Sequence, residues 1–192
     1  MFPGCRCPSK NKKEHQGHSM NIPITKPYLD EKEQQACSEV LKTGWVSQGP
    51  KVKEFEEKVA AFTGAQHSIA TTSCTSSLHI GLLALSIKPG DEVIVPSFSF
   101  IATANTVMYC GATPVFVDID ESYNIDPNLI EDKISDKTTC VMPVHQVGLP
   151  AAMDSINKLA TNHSLKILED AACALGSEYK GKKIGSINTA CF

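Results

Sequence analysis

The sequence predicts an α/β fold: a mostly parallel sheet with helices on its faces. Three observations lead there. From His67 onward, short apolar runs recur roughly every 20 residues, with helical patterns between most of them, as in successive βαβ units. At 192 residues, 42% hydrophobic and 20% charged, the chain is long enough for one sizeable core. The apolar run Leu165 to Leu168 stops on Glu169-Asp170-Ala171-Ala172, so an acid stands at a strand's carboxyl end, where open α/β sheets bind ligands.

Taken in order, residues 1–19 carry Arg6, Lys10, Lys12 and Lys13 against Glu14, a charge of +3 that leaves −6 on the rest of a chain of formal charge −3. This stretch reads as a disordered or non-native leader, with residues 20–192 as the folded part and Met20 as its opening residue. Cys5-x-Cys7 with His15 and His18 has zinc-binding side chains, but the spacing is not that of the common fingers. The other six cysteines are scattered singly, mostly beside apolar residues, as small buried or half-buried side chains would be. A mildly acidic body without a basic stripe argues against a nucleic-acid surface. No apolar run approaches the roughly 18 residues of a membrane span, and no signal-peptide core follows the N-terminal charges. The expected location is the cytoplasm.

Residues 21–29, with two prolines, read as an extended arm. Asp30 and Glu33 have capping-box spacing and open a helix to about Leu41. Gly44 to Gly49 is a loop holding the only tryptophan, Trp45. Pro50 suits the first turn of a helix in which Val52, Phe55, Val59 and Phe62 recur at helical spacing, up to Gly64. Strands are expected near Ser68–Ala70, Glu92–Val95, Pro114–Val117, Cys140–Val144, Lys166–Leu168 and Asn188–Phe192. Helices are expected near Ser76–Ser86, Ile101–Cys110, Asn128–Ile134 and Ala151–Asn162. The polar stretch Tyr179–Ile184 reads as a hairpin turn.

Three segments carry chemistry. Thr71 to Ser77 places six hydroxyls at the start of a helix, where free N–H groups and the positive dipole end suit a phosphate; simple N-capping is the competing reading. Pro96-Ser97-Phe98-Ser99-Phe100 puts two aromatics at a strand's carboxyl end, as ring platforms or as core. Asp170 is either a turn cap or an acid facing a crevice, where a carboxylate needs a cation or donors. Together they offer a phosphate cradle, an aromatic face and a buried acid. That set fits a phosphorylated aromatic heterocycle with a basic nitrogen, the description of pyridoxal phosphate. The Thr71–Ser77 segment holds no GxGxxG or GxxxxGK, so it does not signal a dinucleotide or nucleoside triphosphate.

Gly44-Trp45-Val46-Ser47-Gln48-Gly49-Pro50, Ser73-Cys74-Thr75-Ser76-Ser77-Leu78-His79, Pro96-Ser97-Phe98-Ser99-Phe100 and Glu169-Asp170-Ala171-Ala172 resemble, in unbroken order from about Ile22 to Phe192, the DegT-type (DegT/StrS) sugar aminotransferases. These are pyridoxal-phosphate enzymes of aspartate-aminotransferase fold (fold type I) that aminate keto sugars attached to nucleotides. The resemblance implies that Thr75 and Ser76 hold the phosphate, that Phe100 stacks on the ring and that Asp170 pairs with the pyridine nitrogen. Cys173 stands where family members usually carry Gln or His against the ring hydroxyl. The resemblance also implies an amino donor such as glutamate, a homodimeric parent, and a truncated large domain. The Schiff-base lysine would lie beyond Phe192, since Lys180, Lys182 and Lys183 do not match its context. Relatives that dehydrate sugars carry histidine in place of that lysine, so a dehydratase is one alternative reading; a non-catalytic pseudoenzyme or regulator that binds a cofactor or a partner is another.

Overall fold

The computed structural model describes residue 23 and residues 26–192. The Cys5, Cys7, His15 and His18 set lies outside them, as do residues 21, 22, 24 and 25 of the expected arm. The chain divides into two compact units at Val46/Ser47. In the first, α1 (Glu31–Thr43) starts at the expected capping box: the Lys32 N–H donates to Asp30 Oδ1 at 2.7 Å, and the Asp30 N–H donates to Glu33 Oε2 at 2.7 Å. Gly44, at φ +73°, closes it in the left-handed conformation that glycine adopts without a steric penalty.

The second unit begins with α2 (Pro50–Thr63), with proline in its first turn as expected. Its apolar stripe is less buried than the spacing implies. Phe55 and Phe62 are exposed, and the Lys183 ammonium sits 3.6 Å from the centre of the Phe62 ring, a cation–π contact. The expected strand at Ser68–Ala70 does not form. No neighbour offers it a ladder; instead the Ala70 N–H donates to the Glu56 carboxylate at 2.8 Å, and Ile69 stays 78% exposed.

Next come α3 (Cys74–Ala84), β1 (Glu92–Pro96), α4 (Ala102–Tyr109), β2 (Thr113–Val117), β3 (Thr138–Val141), α5 (Met153–Asn162), β4 (Lys166–Asp170), a hairpin of β5 (Glu178–Tyr179) and β6 (Lys182–Lys183), and β7 (Thr189–Cys191). The helix expected at Asn128–Ile134 is instead two single 3₁₀ turns, Pro127–Leu129 and Glu131–Lys133. Asp126 caps the first by accepting the Asn128 N–H at 2.9 Å, and fully buried Ile130 separates the two.

One five-stranded sheet, in the order β2-β1-β3-β4-β7, has every neighbouring pair parallel. Its strands are short and apolar because both faces are covered. Val93, Val95, Cys140, Met142 and Leu168 pack with Leu78 and Leu82 of α3 and Val107 of α4 on one face. Ile94 and Val141 pack with Met153 and Ile156 of α5, and with Ile125 and Ile130, on the other. The period-2 alternation of strand side chains thus sorts the core into two layers. It also decides where each acid of β4 points: Asp170 follows Leu168 toward α3 and α4, and Glu169 faces the α5 side.

Candidate functional site

Asp170 ends β4 at 5% exposure. Its backbone is fixed on both sides, with its N–H donating to the Pro143 carbonyl at 2.9 Å and its C=O accepting the His145 N–H at 3.0 Å. Its Oδ2 accepts the Thr103 hydroxyl at 2.7 Å, and Thr103 in turn exchanges a 2.6 Å bond with Ser99. Its Oδ1 takes the Ala172 N–H at 3.4 Å and lies 4.0 Å from Cys74 Sγ. The turn-capping bond is therefore the long one, and the short bond comes from a different element. Burial pushes the Asp170 carboxyl up from its ordinary value, against the Thr103 and Ala172 donors. Among the described residues it forms no ion pair. A dry carboxylate with hydroxyl donors and no cation is an acceptor for a positively charged ligand atom.

The start of α3 is a hydroxyl cluster. Ser73 caps the helix by accepting the Ser76 N–H at 3.2 Å. Thr71 and Ser77 hydroxyls are 2.6 Å apart, and the Ser76 hydroxyl lies 3.1 Å from Thr72 and 3.2 Å from Ser73. Thr75 and Ser76 are half-buried in this first turn. Cys74 ties the turn to the acid, because its thiol also donates to the Cys191 carbonyl of β7 at 3.3 Å. Burial first, and then the neighbouring Asp170 charge, push the Cys74 thiol up to about 12; burial and the Cys74 neighbour do the same to Cys191. Both stay protonated at neutral pH and behave as small apolar groups.

The structure thus brings the three chemistry-bearing segments together at the carboxyl ends of the strands. The loop after β1 leads into α4, which supplies Thr103 to Asp170. Phe98 and Phe100 in that loop are exposed, Phe100 at 76%, so neither is core, and Phe98 leans on Tyr123 with ring centres 5.8 Å apart. Cys173 is also exposed, as is Cys37, which corrects the expectation that the scattered cysteines are all buried or half-buried. Thr103 carries no sequence signal of its own. The rule that singled out Asp170, a polar residue where an apolar run ends, also applies to His145 after Val144.

The parallel sheet with helices on its faces is the fold of the pyridoxal-phosphate aminotransferases. Spr1654 from Streptococcus pneumoniae, in its PLP form, matches with a TM-score of 0.85 at 33% identity, over 88% of this chain and 47% of that one. The chain belongs to the DegT/DnrJ/EryC1/StrS aminotransferase family, whose pattern covers residues 27–192. It is 48% identical over 170 residues to the spore coat polysaccharide biosynthesis protein SpsC of Bacillus subtilis (strain 168), covering 88% of this chain and 44% of SpsC. It is 42% identical over 172 residues to the UDP-4-amino-4-deoxy-L-arabinose–oxoglutarate aminotransferase of Shewanella sediminis (strain HAW-EB3), covering 89% and 44% respectively. The chain therefore spans under half the length of the curated relatives it matches. Among the described residues no helix is long and apolar enough to cross a membrane.

Proposed function

We propose that this chain is the N-terminal, cofactor-binding part of a cytoplasmic, homodimeric aminotransferase that moves an amino group, from a donor such as glutamate, to a keto sugar carried on a nucleotide. The observation that carries this reading is Asp170: a buried acid, pushed up by burial and, among the described residues, in no ion pair. Pyridoxal phosphate would supply the electron sink when bound. Asp170 would hold its ring nitrogen in the protonated form, since an opposite charge nearby stabilises the charged state. Thr75 and Ser76 would receive the phosphate at the start of α3, where hydroxyls and the helix's free N–H groups combine. Phe100, free of the core, would stack on the ring. Cys173 would face the ring hydroxyl with a weaker hydrogen-bonding group than the Gln or His usual in the family. The lysine that anchors the cofactor would lie beyond Phe192, so residues 1–192 alone would be inactive.

The test is to supply the full-length protein with pyridoxal phosphate, glutamate and a panel of nucleotide-linked keto sugars, and to identify products by mass spectrometry. An amino sugar that requires both cofactor and glutamate is the expected product. A deoxygenated sugar formed without an amino donor would mark a dehydratase. Absence of bound cofactor would leave the regulator reading in its place.

A further inference from the structure

The opposite face of β4 carries a second buried carboxylate. Glu169 is 1% exposed; its Oε2 lies 2.9 Å from His145 Nε2, and its Oε1 accepts the Asn188 amide at 2.7 Å. His145 is equally buried, and its Nδ1 accepts the Ala151 N–H at 3.1 Å. A ring nitrogen that accepts a hydrogen bond carries no proton, so the ring's one hydrogen sits on Nε2 and is donated to Glu169. His145 is therefore neutral, and Glu169, with two N–H donors, is held as the carboxylate. The same histidine donates its backbone N–H to the Asp170 carbonyl at 3.0 Å, and the preceding Val144 pairs with Asp170 as an isolated parallel bridge. One residue thus grips the last two positions of β4, Glu169 by its ring and Asp170 by its backbone.

We propose that His145 and Glu169 are positioning residues for Asp170. They fix the end of β4, and they place a second negative charge behind the site, so that it favours a cationic ligand atom over a neutral one. The proposal rests on Asp170 being the acid that meets a protonated ring nitrogen. Consecutive strand residues point to opposite faces, so Glu169 acts through the strand and not by touching a ligand. Water is excluded from both carboxylates, which lengthens the reach of the charge. The titratable groups facing Asp170 do not cancel it: Cys74 of α3 and Cys191 of β7 are neutral thiols, His145 is neutral, and Cys173 lies exposed in the following turn. A purely structural pair would affect stability and leave ligand charge preference untouched.

Two measurements test this. In the 192-residue chain without cofactor, ¹⁵N NMR of the imidazole should show His145 as the Nε2–H tautomer; an Nδ1–H or doubly protonated ring would overturn the proposal. In the full-length protein, the readout is the preference for pyridoxal phosphate over its 1-deaza analogue, which has carbon in place of the ring nitrogen. Glu169→Gln should lower that preference about tenfold, the weight of one neighbouring charge. His145→Ala, which removes the donor toward Glu169, should lower it in the same direction, and His145→Gln, which keeps a donor there, should restore most of it. If Glu169→Gln leaves the preference intact while Asp170→Asn abolishes it, the pair is merely structural and the proposal fails. If Asp170→Asn also leaves it intact, the ring-nitrogen reading itself fails. Should Glu169→Gln not fold, the tautomer decides.

Discussion

At Asp170, burial favours the protonated acid while Thr103 and Ala172 donate to the ionised one, and burial is the larger effect. The folded chain then binds a proton more tightly there than the unfolded chain does. Stability from this group is present at acid pH and is lost as pH rises from the ordinary carboxylate value through the raised one. Asp170→Asn keeps the acceptor for Thr103 and removes the charge. Without cofactor the variant should unfold at higher urea concentration than the parent at pH 7, with the gain fading toward pH 3. A variant less stable at both pH values would contradict that. Asp170 was legible in the sequence because a strand's carboxyl end is a privileged place in a parallel sheet. Its partners were not, since Thr103 and Cys74 stand 67 and 96 residues away, and nothing local marks a hydroxyl or thiol that folding will bring to an acid.

Among the elements, α3 shows how close packing sets the site. A Cβ at Gly81 would lie 2.9 Å from one methyl of Leu168 and 3.1 Å from the other, and Leu168 is fully buried. The helix thus approaches β4 closely, which brings its first turn beside Asp170. Gly81→Val should cost about 1–3 kcal/mol of unfolding free energy through overpacking, measured by urea titration; an unchanged midpoint would show that the helix can recede. The apolar periods of β1, β2, β4, α3, α4 and α5 announced these elements because each buries a face. The stretches at Ser68–Ala70 and Asn128–Ile134 have similar local patterns. The first found no neighbouring strand, and the second was broken by Asp126 capping and the inward turn of Ile130, both decided by the rest of the fold.

For the molecule as a whole, the outward faces of α3 and α4 leave Ile80, Leu83, Met108 and Tyr109 exposed, beside Phe98, Phe100 and Ile101 in the loop that enters α4. So much exposed apolar surface favours association. Sedimentation of residues 1–192 should show dimers or larger species at micromolar concentration; a compact monomer would argue against it. Composition and net charge were silent on this, because an exposed and a buried leucine look alike in a sequence.

The central claim is that Asp170 sets the protonation of a bound ring nitrogen. The most direct measurement compares Asp170→Asn with the parent, in the full-length protein, for cofactor content and transamination rate. The account predicts that cofactor still binds through Thr75, Ser76 and the anchoring lysine, while transamination falls at least about 100-fold, or about 2.7 kcal/mol of barrier. Near-normal turnover with cofactor bound would reduce Asp170 to a turn cap and contradict the account.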